Sequence, residues 1–145
     1  MNETFIPAVN YKKKKWYIID CKEKQLGRLS SLVVGLLSGK LKSYYHPSID
    51  LGDYVILINV QDINLNRSIE KFHVFKPGRP GHSLKRLINS SPEQILRRCI
   101  FGMMPNGMPK RQFGNRLKVY QGTNHPHLAQ NPIQINDFHN LKDFI

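Results

Sequence analysis

Trp16-Tyr17-Ile18-Ile19-Asp20 is a short aromatic and β-branched run, the pattern of a strand. Past it the period changes. Leu29, Val33, Leu36 and Leu37 stand at i, i+4, i+7 and i+8, which predicts a helix over Gly27 to Ser38. Gly39 sits where a C-cap belongs, followed by Lys40 and Lys42. Pro47, Asp50, Gly52 and Asp53 then mark a loop in which the two carboxylates read as turn and cap residues. Asp20 reads as the cap of the turn after the first strand. Tyr54 to Val60 is a nearly continuous apolar run, as expected of a strand covered on both faces. Strand, helix and covered strand make a βαβ unit, which predicts an α/β fold on a parallel sheet.

The second half is less regular. Lys76 to Lys85 (KPGRPGHSLK) mixes prolines and glycines with Lys76, Arg79, His82 and Lys85, and reads as a basic loop. Ser91 suits an N-cap and Pro92 the first helical position, with Ile95, Leu96, Cys99, Ile100 and Met103 as the apolar face of a helix. Arg97 and Arg98 fall away from the centre of that face. Gly102-Met103-Met104-Pro105 ends the helix, and Asn106-Gly107-Met108-Pro109 reads as loop. Leu117 to Tyr120 is a short strand candidate. There is no internal repeat and no linker, so residues 1–145 read as one domain, with 1–15 a basic N-terminal extension and 121–145 an extended C-terminal tail running over a partner.

Charge changes the picture most. The 145 residues carry 22 Lys plus Arg against 10 Asp plus Glu, a net +12 with a pI near 9.9. A field of that size repels itself unless a polyanion relieves it, which counts against an ordinary enzyme. It is also clustered: Lys12 to Lys42 and Arg67 to Lys118 are basic, while Ser43 to Asn66 holds Asp50, Asp53 and Asp62 with no Lys or Arg. Two basic stretches around an acidic, strand-forming middle point to a polyanion-binding surface. With 40% hydrophobic residues the chain can build a core, and no apolar run approaches the roughly 20 residues of a membrane span. The N-terminus has neither a secretory h-region nor the look of a transit peptide. Cys21 and Cys99 lie at no metal-binding or disulfide-framework spacing, so free thiols are expected.

Candidate chemistry is sparse. His125-Pro126-His127 could share a metal, but no third ligand stands at a suitable spacing, and a rigid turn whose rings bond backbone or phosphate is the plainer reading. Leu26-Gly27-Arg28 lacks the further glycines of a dinucleotide fingerprint; the glycine either relieves a tight strand-to-helix approach or accompanies Arg28 onto RNA. No paired carboxylates and no Ser-His-Asp or Cys-His arrangement emerge, so no catalytic residue, metal site or cofactor is expected. Arg79, Lys85 and Arg86 offer phosphate contacts, with Gly78 and Gly81 allowing close backbone approach. Lys110, Arg111, Arg116 and Lys118 form a second basic set interleaved with Phe113 and Tyr120, for which core packing is the first expectation. Without a recognition helix, structured RNA suits this mixture better than duplex DNA.

Seven segments occur in the order and spacing of one family: Trp16 to Asp20, Leu26 to Ser31, Gly39 to Lys42, Asp50 to Asn59, Gly102 to Pro105, Arg116 to Gly122, and His125 to Gln130. Over roughly Thr4 to Pro132 the chain resembles the bacterial-type ribosomal protein L13 family of the large subunit. Thr4 to Pro7 and Gly78 to Gly81 look closest to its cyanobacterial and plastid branch. The resemblance implies a three-layer α/β/α fold around a small, mostly parallel sheet, with basic loops and a tail. It also implies binding to large-subunit (23S-type) rRNA, a part in early subunit assembly, neighbouring large-subunit ribosomal proteins as partners, and no catalytic activity, cofactor, membrane or homo-oligomer. An organelle-encoded protein of plastid (chloroplast) ribosomes fits best, with the bacterial cytoplasm the alternative.

On the resemblance and the adjacent basic positions, the residues expected to face RNA are Lys12, Lys13, Lys14, Lys15, Arg28, Lys40, Lys42, Arg79, His82, Lys85, Arg86, Lys110, Arg111, Arg116, Lys118, His125 and His127. The chain departs from the family's pattern at Leu65 to Ile69, which is about two residues short of its usual Thr-Gly-x-Lys turn, at Lys76-Pro77, and at His82 in place of the second loop glycine. The tail from Ile133 to Ile145 runs past the usual family end. RNA binding through phosphates should fall steeply with salt. Replacing Arg79 with Ala should weaken binding to large-subunit rRNA and lower the log–log salt slope by about one, measured by filter binding across a salt series.

Overall fold

Strands β1 (Trp16–Asp20) and β2 (Tyr54–Ile58) form where β-branched and aromatic residues concentrate, and they pair in parallel, Trp16 opposite Tyr54 and Asp20 opposite Ile58. The computed structural model describes residues 14–64, 91–106 and 108–135. Within them four strands make one all-parallel sheet in the order β3–β2–β1–β4, where β3 is Leu117–Val119 and β4 is Ile133–Ile135. Three α-helices accompany it: α1 (Leu26–Ser38), α2 (Pro92–Met103) and α3 (Met108–Arg116). Parallel neighbours cannot be joined by a tight hairpin, so every connection is a crossover.

Helix α1 buries Leu29, Val33, Leu36 and Leu37, the face its periodicity predicts. Its end is a Schellman motif: Gly39, at φ 74°, donates its N–H to the Leu36 carbonyl, and Lys40 donates to the Gly35 carbonyl. Strand β2 stops earlier than its apolar run, because Asn59 turns left-handed at φ 54° and sends Val60–Asp62 into a 3-10 turn. In α2 the buried stripe is Leu96 and Ile100, continued by Met104 just past the helix. Met103, expected on the inner face, lies one position off that stripe and is 46% exposed. Ser91 holds the N-cap position without a side-chain cap bond.

Two expectations give way. Helix α3 begins at Met108 and Pro109, residues expected as loop, and runs on through residues for which no element was expected. Among its described side chains Phe113 is the one large apolar residue that is buried, beside Gly114, Asn115 and charged residues, too little to generate a legible period. The segment expected as an ordered tail over a partner also joins the fold itself. Residues 133–135 add β4 to the sheet, with Tyr17 opposite Ile133 and Ile19 opposite Ile135.

One buried cluster joins Tyr17, Ile19, Val55, Leu57, Leu117, Val119 and Ile135 to Leu29, Leu37, Leu96, Ile100 and Phe113. These sheet residues share one face by strand alternation, so all three helices pack on that side. The connections β1→β2 and β2→β3 step the same way across the sheet. The connection β3→β4 steps back, and keeps the same hand only by crossing the opposite face. It does so: Tyr120 begins at the C-terminal edge of the sheet, and the His127 ring lies 5.1 Å from that of Trp16 near the N-terminal edge. Trp16 and Tyr54 stack at 4.2 Å on this second face, and Ile56 is wholly buried beneath it. Among the described residues this face carries the crossing segment, and the small all-parallel sheet with its three helices is the α/β fold expected.

Glycine at 52 is a requirement. A Cβ there would sit 1.8 Å from the Leu37 carbonyl oxygen, a backbone atom that cannot yield. A Cβ at Gly102 would meet nothing within 4 Å. Gly52→Ala should therefore destabilise the isolated protein by about 3 kcal/mol or more, whereas Gly102→Ala should stabilise it by roughly 0.5–1 kcal/mol. Denaturant unfolding of both variants checks the contrast.

Candidate nucleic-acid interface

The loop Asp50-Leu51-Gly52-Asp53 passes between the end of α1 and the starts of β1, β2 and β3, and it gathers cations. Asp50 accepts hydrogen bonds from both Arg116 terminal nitrogens, one of them at 2.7 Å, and from Lys14 Nζ at 3.1 Å. Lys14 also reaches the Gly52 carbonyl at 3.1 Å. Asp53, 1% exposed, pairs with Lys42 at 2.7 Å and accepts the Lys15 backbone N–H at 2.9 Å. Lys42 Nζ donates to the Leu51 carbonyl at 2.8 Å, and the Asp53 N–H returns to Leu36 at 3.2 Å. Partial burial pushes the Asp50 carboxyl up, but the Arg116 and Lys14 hydrogen bonds and charges outweigh it and hold it down to about 2. Burial, Asp53 and Tyr44 push the neighbouring Tyr17 phenol up to about 12, which keeps it neutral.

This arrangement redistributes the predicted RNA-facing set. Arg116 is 7% exposed and lies along the Phe113 ring, 5.6 Å from its centroid; Lys42 and Lys14 are likewise mostly covered. Their charges go to Asp50 and Asp53, and the carboxylates read as simple turn and cap residues are the centres of ion pairs. Lys15, Arg28, Lys40 and Arg111 are exposed and pair with no acid among the described residues. Lys110 is half-buried and reaches Asn106 at 3.4 Å; Lys118 is half-buried beside Ile56 on the sheet's second face. Arg28 and Lys40 stand at opposite ends of α1, about 18 Å of helix apart. Outward charge is thus spread over the fold. Lys12, Lys13, Arg79, His82, Lys85 and Arg86 lie outside the described residues.

Besides the Asp50 and Asp53 pairs, Arg97 meets Glu93 at 3.1 Å across one helical turn. Among the described residues these contacts set four cations against three acids, a surplus of one out of the chain's +12.

His125-Pro126-His127 forms a built turn. The His127 N–H donates to His125 Nδ1 at 3.3 Å, which places the proton of a neutral His125 ring on Nε2. His127 Nε2 shares a 2.8 Å hydrogen bond with the Tyr120 hydroxyl while its ring lies beside Trp16. Both imidazoles are half-buried, and among the described residues no third His, Cys, Asp or Glu joins them as a metal ligand. Gly27 is free of packing demands, since a Cβ there would meet nothing within 4 Å, so the reading of a tight strand-to-helix approach falls. Cys21 is buried, and burial with Asp20 alongside pushes its thiol up to about 12, a poor nucleophile; Cys21 and Cys99 are both free. Asp20 does cap its turn, accepting the Lys22 N–H at 3.0 Å, and it also takes the Asn59 side chain at 3.0 Å.

The ribosomal protein L13 family model matches residues 14–126. The chain is 52% identical over 138 residues to large ribosomal subunit protein uL13c of Trieres chinensis, covering 95% of this chain and 99% of that one. It is 38% identical over 138 residues to uL13 of Trichodesmium erythraeum, covering 91% of each. A Prochlorococcus marinus uL13 is 36% identical over 142 residues, covering 94% and 99%.

The ion-pair cluster makes stability depend on acid. Asp50 is lowered to about 2 in the fold against about 3.9 unfolded. Its contribution is therefore whole above pH ~4 and is lost as pH falls toward 2. Asp50→Asn should be less stable than wild type at pH 7, the gap closing between pH 4 and 2. Asp53→Asn, which strands Lys42 in a mostly buried position, should cost about 3–5 kcal/mol. Urea melts at stepped pH measure both.

Proposed function

The chain belongs to the ribosomal protein L13 family, and on that premise we propose that it is a structural, non-catalytic constituent of the large ribosomal subunit, held there by rRNA. The observation that carries this reading is the family match over residues 14–126, with plastid-type uL13c 52% identical across nearly the full length of both chains. The physical arrangement agrees. The chain carries a net +12, and among the described residues its exposed basic members sit on several elements, as suits a broad phosphate surface.

The RNA-contacting set is drawn from Lys15, Arg28, Lys40, Lys110, Arg111, Lys118, His125 and His127, together with Lys12, Lys13 and the basic loop at Arg79, His82, Lys85 and Arg86. Lys14, Lys42 and Arg116 act one step back: they fix the loop between α1 and β2 and so set where Lys15 and Lys40 stand. The 23S-type rRNA and neighbouring large-subunit proteins are the partners on this reading. The higher identity to a uL13c than to the cyanobacterial uL13 proteins favours a plastid ribosome over the bacterial cytoplasm. In gradient sedimentation of a cell extract, the chain should travel with large subunits and stay with them through moderate salt. Recovery as a free monomer at the top of the gradient would overturn the reading.

A further inference from the structure

Among the described residues, four large apolar side chains are exposed, and two of them are neighbours: Tyr44 at 37% and Tyr45 at 38%. They stand on the turn that leads from α1 toward the Asp50 loop. The turn is held from within. Lys42 N–H donates to the Gly39 carbonyl at 3.1 Å, Tyr45 N–H to the Lys42 carbonyl at 3.1 Å, and Ile49 N–H to the His46 carbonyl at 3.2 Å. The His46 ring accepts the Ser48 N–H at 3.2 Å, and Lys42 is anchored through its ammonium to Leu51 and Asp53. A fixed backbone thus presents two rigid aromatic rings to solvent, where apolar surface is least stable. Exposed Lys40 lies four residues before Tyr44, and no acid occurs between Glu23 and Asp50.

We infer that Tyr44 and Tyr45 form a stacking site for unpaired nucleobases of the bound RNA, with Lys40 on the adjoining phosphate. The inference rests on the RNA-binding reading above and sharpens it, assigning this turn to single-stranded or bulged nucleotides instead of duplex. Aromatic rings stack on any base because every base has a π-face, whereas a paired helix keeps its faces covered. Tyrosine loses little freedom on binding, having two side-chain torsions, and the preformed turn reduces the ordering cost further. The lysine supplies the phosphate contact that stacking lacks. Lys40, exposed and paired with no acid among the described residues, favours a nucleic acid over an apolar protein patch.

The test uses the full chain and two probes: a large-subunit rRNA transcript, and a fully paired RNA duplex of arbitrary sequence. Tyr44→Ala and Tyr45→Ala should each weaken binding to the transcript by about tenfold and leave the salt slope unchanged. Lys40→Ala should lower that slope by about one. The Phe variants, which keep the ring, should bind like wild type, and all the Tyr variants should bind the duplex as wild type does. Both rings are exposed, so unchanged melting temperatures verify the fold. Ala variants that bind the transcript normally overturn the inference, as do Phe variants that lose as much as Ala or a matching loss on duplex. Wild-type protein that fails to bind the transcript at all would instead remove the RNA-binding reading itself.

Discussion

The fold turns on one short loop, Asp50-Leu51-Gly52-Asp53, in which two carboxylates hold three cations drawn from separate parts of the chain. Lys14 precedes β1, Lys42 follows α1, and Arg116 closes α3 at the point where β3 begins. Gly52 lets this loop lie against the Leu37 carbonyl, and the Asp53 N–H bonds to Leu36, so the same four residues also set the end of α1. Charges removed from water in this way stabilise only when every partner is present. Here each carboxylate has a cation and a backbone donor, and the entry points of β1, β2 and β3 are fixed together.

That constraint explains how a chain with a large positive excess remains folded. The acids are few, and the structure puts two of them where cations are most deeply covered. Among the described residues, exposed basic side chains stand at the ends of α1, near the start of α3 and at the approach to β1. A polyanion wrapped across several elements would neutralise them without needing a cleft. The second face of the sheet contributes a different chemistry. There the β3–β4 crossover lays His127 beside the Trp16–Tyr54 stack and bonds it to Tyr120, making a rigid aromatic layer.

Local pattern was a good guide wherever burial follows period. Strand β1, helix α1 with its Gly39 cap, the body of β2 and the start of α2 all lie where their apolar residues recur at strand or helix spacing. It was a poor guide to α3 and β4. Helix α3 has Phe113 as the one large buried apolar residue among its described side chains and includes the weak helix formers Gly114 and Asn115, and β4 is three residues long. Each exists because a neighbour receives it: Phe113 enters the common core, and Ile133 and Ile135 pair with β1. No window of sequence contains that neighbour.

By itself, then, the sequence determined the class of the fold, the size and clustering of its charge, and the family register of its motifs, because these are properties of residue type and spacing. Only the tertiary structure decided which basic residues are available to a partner. Lys15 and Lys40 are exposed beside Lys14 and Lys42, which are turned inward; Arg116 is buried though Arg111 on the same helix is not. The reason is distance along the chain. Asp50 meets Arg116 across 66 positions and Lys14 across 36, and a lysine's role changes completely when such a carboxylate is brought to it. Composition counts charges, but packing assigns their partners.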